Sequence, residues 1–154
     1  MKKVRGFAWV SSYANQNLPL PTRQTAQSAG YDLACAKEVI LPVGQITLVP
    51  TGVKAYMPAD EYLGIHIRSS MAVRHGLTLI NNMGIIDADY YGNAKNEGHI
   101  MLPVLNLGAK VVHLPKGTRI AQGIFQRYLL ADGDTCDAGA YRVGGFGSTG
   151  ELPT

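Results

Sequence analysis

The chain has 154 residues, of which 46% are hydrophobic and 16% are charged, and its formal net charge is +3. This length predicts one compact domain over residues 1–154 and excludes a large multidomain chain. The basic residues are scattered along the sequence, so neither a nucleic-acid-binding nor a membrane-binding surface is expected.

Short apolar runs separated by glycine and proline recur along the chain, which has 18 glycines and 8 prolines. This pattern is typical of an all-β sandwich or barrel with few helices. Residues 18–21 are expected to form an extended connection, because their prolines exclude a helix. Strands are predicted at residues 4–10, 31–35, 39–41, 45–49, 62–67, 77–80, 99–105, 111–114 and 119–128.

One helix is predicted, at residues 69–75. Ser69 or Ser70 is expected to cap its start, and Gly76 is expected to end it. The free backbone N–H groups at the start of this helix would suit an anion.

The segment 84–92 places Asp87 and Asp89 directly after a strand-like apolar run. The alternation before it and Gly92 after it predict a hairpin turn at the rim of a sheet. In an extended chain the two carboxylates would point the same way, so that one can act as a base while the other holds the loop. The alternative is an Asx-type turn with two solvated carboxylates.

The C-terminal residues 145–150 satisfy the pattern G-x-G-x-x-G, but only four residues follow them. A dinucleotide-binding fingerprint must open a helix, so we reject that interpretation. A glycine-rich end that contains Phe146 and two hydroxyl groups is suited to a mobile flap over a ligand, with backbone N–H groups on phosphate oxygens. An unstructured tail is the alternative.

The remaining candidate groups indicate no other chemistry. The four histidines lack the spacing of a zinc site, and no G-x-S-x-G motif is present. Cys35 and Cys136 are isolated cysteines in a chain that shows neither a signal peptide nor an apolar membrane span. We therefore expect a reduced, cytoplasmic protein.

Five segments resemble, in order and spacing, the five motifs of the trimeric deoxyuridine triphosphatases (dUTPases), which hydrolyse dUTP to dUMP and pyrophosphate. The resemblance covers nearly the whole chain. The matching segments are residues 29–33 (AGYDL), 68–72 (RSSMA), 81–92, 117–122 (GTRIAQ) and 144–150 (GGFGSTG).

The resemblance implies a jelly-roll-like β fold with one short helix and a mobile glycine-rich arm at about residues 140–154. It also implies a homotrimer whose active sites lie at subunit interfaces, each covered by the arm of a neighbouring chain. By the same resemblance, Asp87 activates the water that attacks the α-phosphorus. Mg²⁺ is expected to arrive with the triphosphate, and Asp32 is expected to touch it only through water.

The resemblance also assigns the substrate-binding residues. Arg68, Ser69 and Gln122 match positions that hold phosphates, and Ser70 belongs to the same segment. The arm residues Phe146, Gly147 and Ser148 are expected to close over the nucleotide, and Arg142 is expected to reach the γ-phosphate.

The hairpin from Asn81 to Ile86, which includes Gly84, is expected to recognise uracil through backbone N–H and C=O groups. Tyr90 is expected to pack beneath the deoxyribose and exclude a 2′-hydroxyl. These contacts would distinguish dUTP from nucleotides that carry cytosine, thymine or ribose.

Three features depart from the common family pattern. Residues 93–98, from Asn93 to Gly98, lengthen the turn after Gly92 and are interpreted as a subgroup feature that decorates the surface or docks a regulatory protein. Arg142 stands four residues before Phe146, whereas many members place this arginine five before. Tyr91 occupies a position where arginine or glutamine is common.

Two other functions compete with that of a dUTP-hydrolysing enzyme. A dCTP deaminase of the same superfamily needs a glutamate three positions before the asparagine matched here by Asn106, and Pro103 stands at that position. A non-catalytic regulatory protein on the same fold would act through residues 93–98. The intact Asp87, Tyr90, Gln122 and Phe146 argue for an enzyme.

Overall fold

The computed structural model describes residues 3–136 and 142–146. Within these ranges it contains eleven β-strands, one α-helix and two short 3-10 helices. The helix α1 is Ser69–His75, and the 3-10 helices are Ser11–Tyr13 and Ala88–Tyr90. The strands are β1 (Gly6–Trp9), β2 (Tyr31–Ala34), β3 (Val39–Leu41), β4 (Ile46–Pro50), β5 (Val53–Tyr56), β6 (Glu61–Ile67), β7 (Leu77–Leu79), β8 (Gly84–Asp87), β9 (Met101–Asn106), β10 (Val112–Leu114) and β11 (Arg119–Arg127).

The strands form four antiparallel sheets in the described part of the chain. The largest has the order β2-β11-β6-β8, and a second has the order β4-β9-β7. Two pairs, β1 with β5 and β3 with β10, complete the fold. The long strand β11 pairs with β2 on one side and with β6 on the other, so it connects the segments that carry three of the sequence motifs.

Alternation of buried and exposed side chains explains why these segments form strands. Along β9, Leu102, Val104 and Asn106 are buried while the residues between them are partly exposed. On β3, Val39 and Leu41 face inward and Ile40 faces outward. The inward residues of the sheets share one hydrophobic core cluster, which includes Leu33, Leu63, Ile65, Leu102 and Ile120.

The expected all-β class with one short helix is confirmed, and most predicted strands lie within a few residues of the observed ones. Strand β5 was not predicted. Residues 84–87, which lie in the segment expected to contain a hairpin turn, were not among the predicted strands, and they form the edge strand β8, which pairs with β6. No helix in the described residues is both long and apolar enough to cross a membrane.

The helix α1 has the predicted bounds, but its start is not capped as predicted. Arg68 is the N-cap residue with extended backbone angles, no side-chain hydrogen bond caps the helix, and Ser69 is already the first helical residue. Gly76 ends the helix as predicted, because its φ of 67° lies in the left-handed region that glycine tolerates.

The glycine-rich arm expected at about residues 140–154 lies largely outside the described residues. Gly147 and Ser148, which were assigned to the nucleotide, fall in that undescribed part. The described residues 142–146 include Arg142 and Phe146, and both line the cavity described below.

Candidate active site

A cavity of about 310 Å³ runs along the edge strand β8. This volume is at the lower end of the range for small-molecule sites. Seven of the residues proposed from the sequence lie in its wall, together with residues of β6, β7 and β9. The seven are Asn81, Gly84, Ile86, Asp87, Tyr90, Arg142 and Phe146.

The two carboxylates of the D-x-D segment do not lie on one extended strand as expected. Asp87 is the last residue of β8, opposite Tyr62 of β6, whereas Asp89 lies in the following 3-10 helix. Both still meet the same guanidinium group. Arg142 donates from Nη2 to Asp87 Oδ2 at 2.5 Å and from Nε to Asp89 Oδ1 at 2.9 Å.

Arg142 and Asp87 differ in exposure. The Arg142 side chain is 19% exposed, and that of Asp87 is 45% exposed. A carboxylate has about four lone-pair positions, so one bond from Arg142 leaves Asp87 able to accept a proton from water. The sequence did not indicate that Asp89 and Arg142 interact, because the residues are far apart in the chain.

Tyr90 is the most buried aromatic residue of the cavity wall, at 6% exposure. Its hydroxyl group donates to the His99 carbonyl oxygen at 2.8 Å and accepts a hydrogen bond from Asn96 Nδ2 at 2.8 Å. Both ends of the hydroxyl are therefore satisfied by the protein, and the ring is held at its polar tip as well as by packing.

The stretch from Asn93 to Gly98, which we call the 93–98 loop, forms hydrogen bonds and an ion pair with other parts of the chain. Asn93 is buried and donates to the Tyr90 carbonyl oxygen at 2.8 Å. Glu97 pairs with Lys54 at 2.8 Å and accepts hydrogen bonds from Ser11. Lys54, followed by the Ser11 bonds, lowers the pKa of Glu97 to about 2. The interpretation of this loop as surface decoration missed these contacts.

A second group of candidate residues lies where β2, β11 and the end of β6 meet. The Asp32 carboxylate, 10% exposed, pairs with Arg68 Nε at 3.2 Å and with Arg119 Nη1 at 3.1 Å. Gln122 of β11 stands opposite Asp32 and opposite His66 of β6. Arg119 was not proposed from the sequence, although it belongs to the GTRIAQ segment.

The first and fourth motif segments touch in this group. A Cβ atom at Gly30 would overlap the Gln122 side-chain oxygen, so glycine is required for this close approach. Ser69 and Ser70 open α1 directly after Arg68. The structure therefore gathers Asp32, Arg68, Gln122 and the two serines at one end of the large sheet.

The cavity and this second group are separate within one chain. Asp87 is opposite Tyr62, six residues before Arg68, and a strand rises about 3.3 Å per residue, so roughly 20 Å of backbone separates them. Among the described residues that line the cavity, the second group contributes none. One chain therefore does not place Arg68 and Gln122 beside Asp87.

Comparison with known proteins identifies the family. The dUTPase family model matches residues 16–150. The chain belongs to the dUTPase family. The deoxyuridine 5′-triphosphate nucleotidohydrolase of Lactococcus lactis subsp. lactis is 47% identical over 148 residues, covering 96% of this chain and 99% of the relative.

Solved structures of dUTPases share the fold. A crystal structure of dUTPase from Streptococcus mutans has a TM-score of 0.78 and 48% identity, covering 83% of this chain and 99% of that one. The dUTPase from phage phi11 of S. aureus has a TM-score of 0.71 at 16% identity, covering 88% and 97%. At that identity, the phage likeness concerns the fold alone.

Proposed function

We propose that this dUTPase family member hydrolyses dUTP to dUMP and pyrophosphate. The observation that carries the proposal is the cavity wall, in which a partly exposed carboxylate, Asp87, adjoins a buried and fixed tyrosine, Tyr90. The reaction keeps uracil out of DNA and supplies dUMP for thymidylate synthesis. We propose that it takes place in the cytoplasm.

Asp87 acts as the general base in this proposal. It accepts a proton from a water molecule whose oxygen forms a bond to the α-phosphorus, and the bond from that phosphorus to the bridging oxygen of pyrophosphate breaks. In the free protein the bond from Arg142 to Asp87 Oδ2 leaves the remaining lone pairs of this carboxylate open to water. A positioned base of this kind contributes a rate factor of about 10²–10⁴.

Uracil and deoxyribose are bound along β8. The backbone from Asn81 to Ile86, including Gly84, supplies hydrogen-bond donors and acceptors to uracil. Tyr90 packs beneath the sugar. Its small exposure and its hydroxyl bonds support this role, because a ring that cannot retreat leaves no space for a 2′-hydroxyl.

The triphosphate is bound by Arg68, Ser69, Ser70 and Gln122. In the free protein Arg68 is partly neutralised by Asp32. A triphosphate carries more negative charge than one carboxylate, so Arg68 can exchange this partner for phosphate oxygens. Arg142 can likewise exchange Asp87 and Asp89 for the γ-phosphate while Phe146, Gly147 and Ser148 close over the nucleotide.

Mg²⁺ bound to the triphosphate would neutralise phosphate charge. Asp32 is the carboxylate of the phosphate-binding group, and it already pairs with two guanidinium groups. A contact through a metal-bound water would leave both ion pairs in place, which supports an indirect role. Magnesium keeps several of its water ligands in most protein sites.

The complete site is proposed to form between subunits of a homotrimer. The separation of about 20 Å along β6 supports this arrangement, because Arg68 of one chain is far from the same chain's Asp87. Leu129 and Leu130 follow β11 and are 96% and 70% exposed in the single chain. Exposed leucines in a segment leading to the arm fit burial against another subunit.

We also propose that the 93–98 loop docks a regulatory protein. The surface of this loop is small, because Asn93 and Gly98 are buried and only Ala94 and Lys95 are exposed. A pull-down that compares wild type with Lys95→Glu tests it. Specific capture that Lys95→Glu abolishes would support docking, and equal capture by both proteins would contradict it.

The test of the proposed activity is pyrophosphate release from dUTP with Mg²⁺, beside UTP, dCTP and dTTP. We expect release from dUTP alone and its loss in Asp87→Asn. Ammonia release from dCTP would contradict the proposal in favour of a deaminase. That outcome is not expected, because Pro103 in the cavity wall has no group that transfers a proton.

A further inference from the structure

Both the nitrogen and the oxygen of the Asn96 side-chain amide form hydrogen bonds within the protein. Its Nδ2 donates to the Tyr90 hydroxyl at 2.8 Å, and its Oδ1 accepts hydrogen bonds from Asn93 Nδ2 at 2.8 Å and from the Gly98 backbone N–H at 3.1 Å. A flipped amide would place its NH₂ group against two donors. The donor of Asn96 must therefore face Tyr90.

The 93–98 loop places Asn96 by several independent contacts. Asn93 Oδ1 accepts the backbone N–H groups of Lys95 and Asn96 at 3.1 Å each. Glu97 fastens the other side of the loop to Lys54 and Ser11. Asn96 is thus a fixed group rather than a mobile surface side chain.

The backbone at the end of the loop also contacts Tyr90. Gly98 has a φ of 88°, and a Cβ atom there would lie 2.7 Å from the Tyr90 carbonyl oxygen. Any other residue would be strained and would push against Tyr90. The loop therefore approaches this tyrosine at both its hydroxyl group and its backbone.

We propose that Asn96 is a positioning residue for sugar selection, and that the 93–98 loop holds the Tyr90 ring against the deoxyribose. This inference rests on the proposed contact between Tyr90 and the sugar. Exclusion of a 2′-hydroxyl requires that the ring resist displacement, because a shift of about 1 Å admits an extra atom or misplaces the reacting groups. The bonds from Asn96 and to His99 oppose such a shift.

The test measures kcat/KM for dUTP and for UTP in Asn96→Ala, Tyr90→Phe, the double variant and Tyr90→Ala. One hydrogen bond contributes about 1 kcal/mol, so we expect Asn96→Ala to lower the dUTP-to-UTP ratio about fivefold. Tyr90→Phe removes this bond together with the bond to the His99 carbonyl oxygen, so its effect should be at least as large. The double variant should fall no further than Tyr90→Phe alone, since the two residues act as one unit.

Glu97→Ala is the matched control. It cuts the loop's contacts with Lys54 and Ser11 but leaves the Asn96 amide, so its ratio should change by less than about twofold. An equal fall in Glu97→Ala would mean that general loop integrity, rather than the Asn96 bond, sets the ratio, and would overturn the inference. Trimer size and thermal unfolding confirm that each variant is folded.

The role of Asn96 and the role of Tyr90 can be tested separately. If Tyr90→Ala lowers the ratio but Asn96→Ala does not, only the role of Asn96 is overturned. If Tyr90→Ala leaves the ratio unchanged in an active trimer, sugar selection by Tyr90 is itself wrong and the inference falls with it. Independent, additive effects of Asn96→Ala and Tyr90→Phe would also overturn it.

Discussion

The two ends of β6 differ in the chemistry of the groups around them. At the Tyr62 end, the cavity beside β8 is lined mainly by apolar residues and by a buried tyrosine whose hydroxyl has two partners. At the Ile67 end, partly exposed arginines share one carboxylate, Asp32. In the first region, groups of the protein itself occupy both the donor and the acceptor side of the tyrosine hydroxyl. The second consists of charges in an exchangeable ion-pair network, which suits a substrate that brings its own charge.

We therefore expect one region to bind the base and the sugar and the other to bind the triphosphate. Discrimination between bases and between sugars depends on the exact position of hydrogen-bonding groups and of the tyrosine ring. A triphosphate is bound by charge, and charges can be contributed by another subunit. Single substitutions in each region test this expectation.

Asp87→Asn should give the largest loss. We expect kcat to fall about 10³-fold with little change in KM for dUTP, because the general base is lost while the binding groups remain. Steady-state pyrophosphate release measures both constants. Asp89→Asn is the matched control, since Asp89 also pairs with Arg142, and its kcat should fall less than about tenfold. Equal losses in both variants would contradict the assignment of the base to Asp87.

Arg68→Gln should act on phosphate binding. Hydrogen bonds to charged groups contribute about 1.5–3 kcal/mol, so kcat/KM for dUTP should fall roughly 10- to 100-fold, mainly through KM. Arg127→Gln removes an exposed arginine that pairs with Asp60, and it should change kcat/KM by less than about twofold. A loss confined to kcat in Arg68→Gln would argue against a binding role.

Asn106→Ala should reduce stability rather than catalysis. Asn106 is fully buried, donates to the carbonyl oxygens of Leu41 and Lys110 and accepts from the Gly108 N–H. Leaving these groups unsatisfied should lower the free energy of unfolding by about 3 kcal/mol in urea denaturation. The exposed Gln45→Ala should stay within about 0.5 kcal/mol. An unchanged urea midpoint in Asn106→Ala would contradict this account.

The smallest expected effect is a pH dependence at His99. Burial lowers the pKa of His99 below 6.5, and its Nε2 accepts a hydrogen bond from the Gly52 N–H at 2.9 Å. Because the folded-state pKa is the lower one, the contribution is complete above pH 6.5 and is lost as the pH falls through the folded value. Glu97 stays ionised across pH 5–7, since its pKa is about 2.

Thermal unfolding between pH 7.5 and 5 measures this contribution. Wild type should lose stability toward pH 5, and His99→Gln should show a flatter profile. Parallel profiles for the two proteins would mean that His99 does not titrate as described.

Local patterns were sufficient to predict most of the fold. Alternation predicted β3 and β10 closely, and Gly76 correctly marked the end of α1. Strand β5 was missed, because its alternation is short and includes Lys54. Strand β8 was not among the predicted strands, because its apolar run is short and lies in the segment expected to contain a hairpin turn; its pairing with β6 makes it a strand.

Fewer features of the site could be predicted from the sequence. The resemblance proposed Asp87 and Tyr90, and the structure places both in one cavity wall. The contact of Asn96 with Tyr90 depends on left-handed backbone at Glu97 and Gly98, which no local pattern specifies. The pairing of Arg142 with Asp87 and Asp89 depends on how the chain after β11 returns to β8.

A mixed-trimer assay tests most directly whether the site is shared between subunits. Asp87→Asn and Arg68→Gln chains are unfolded together, refolded at equal ratio and assayed at a dUTP concentration below the wild-type KM, where each parent is impaired. If Asp87 and Arg68 of one site come from different chains, random mixing restores both groups in roughly a quarter of the sites, with activity well above either parent. If each chain held a complete site, every site would lack either the Asp87 carboxylate or the Arg68 guanidinium group. Activity no higher than the average of the parents would contradict the account.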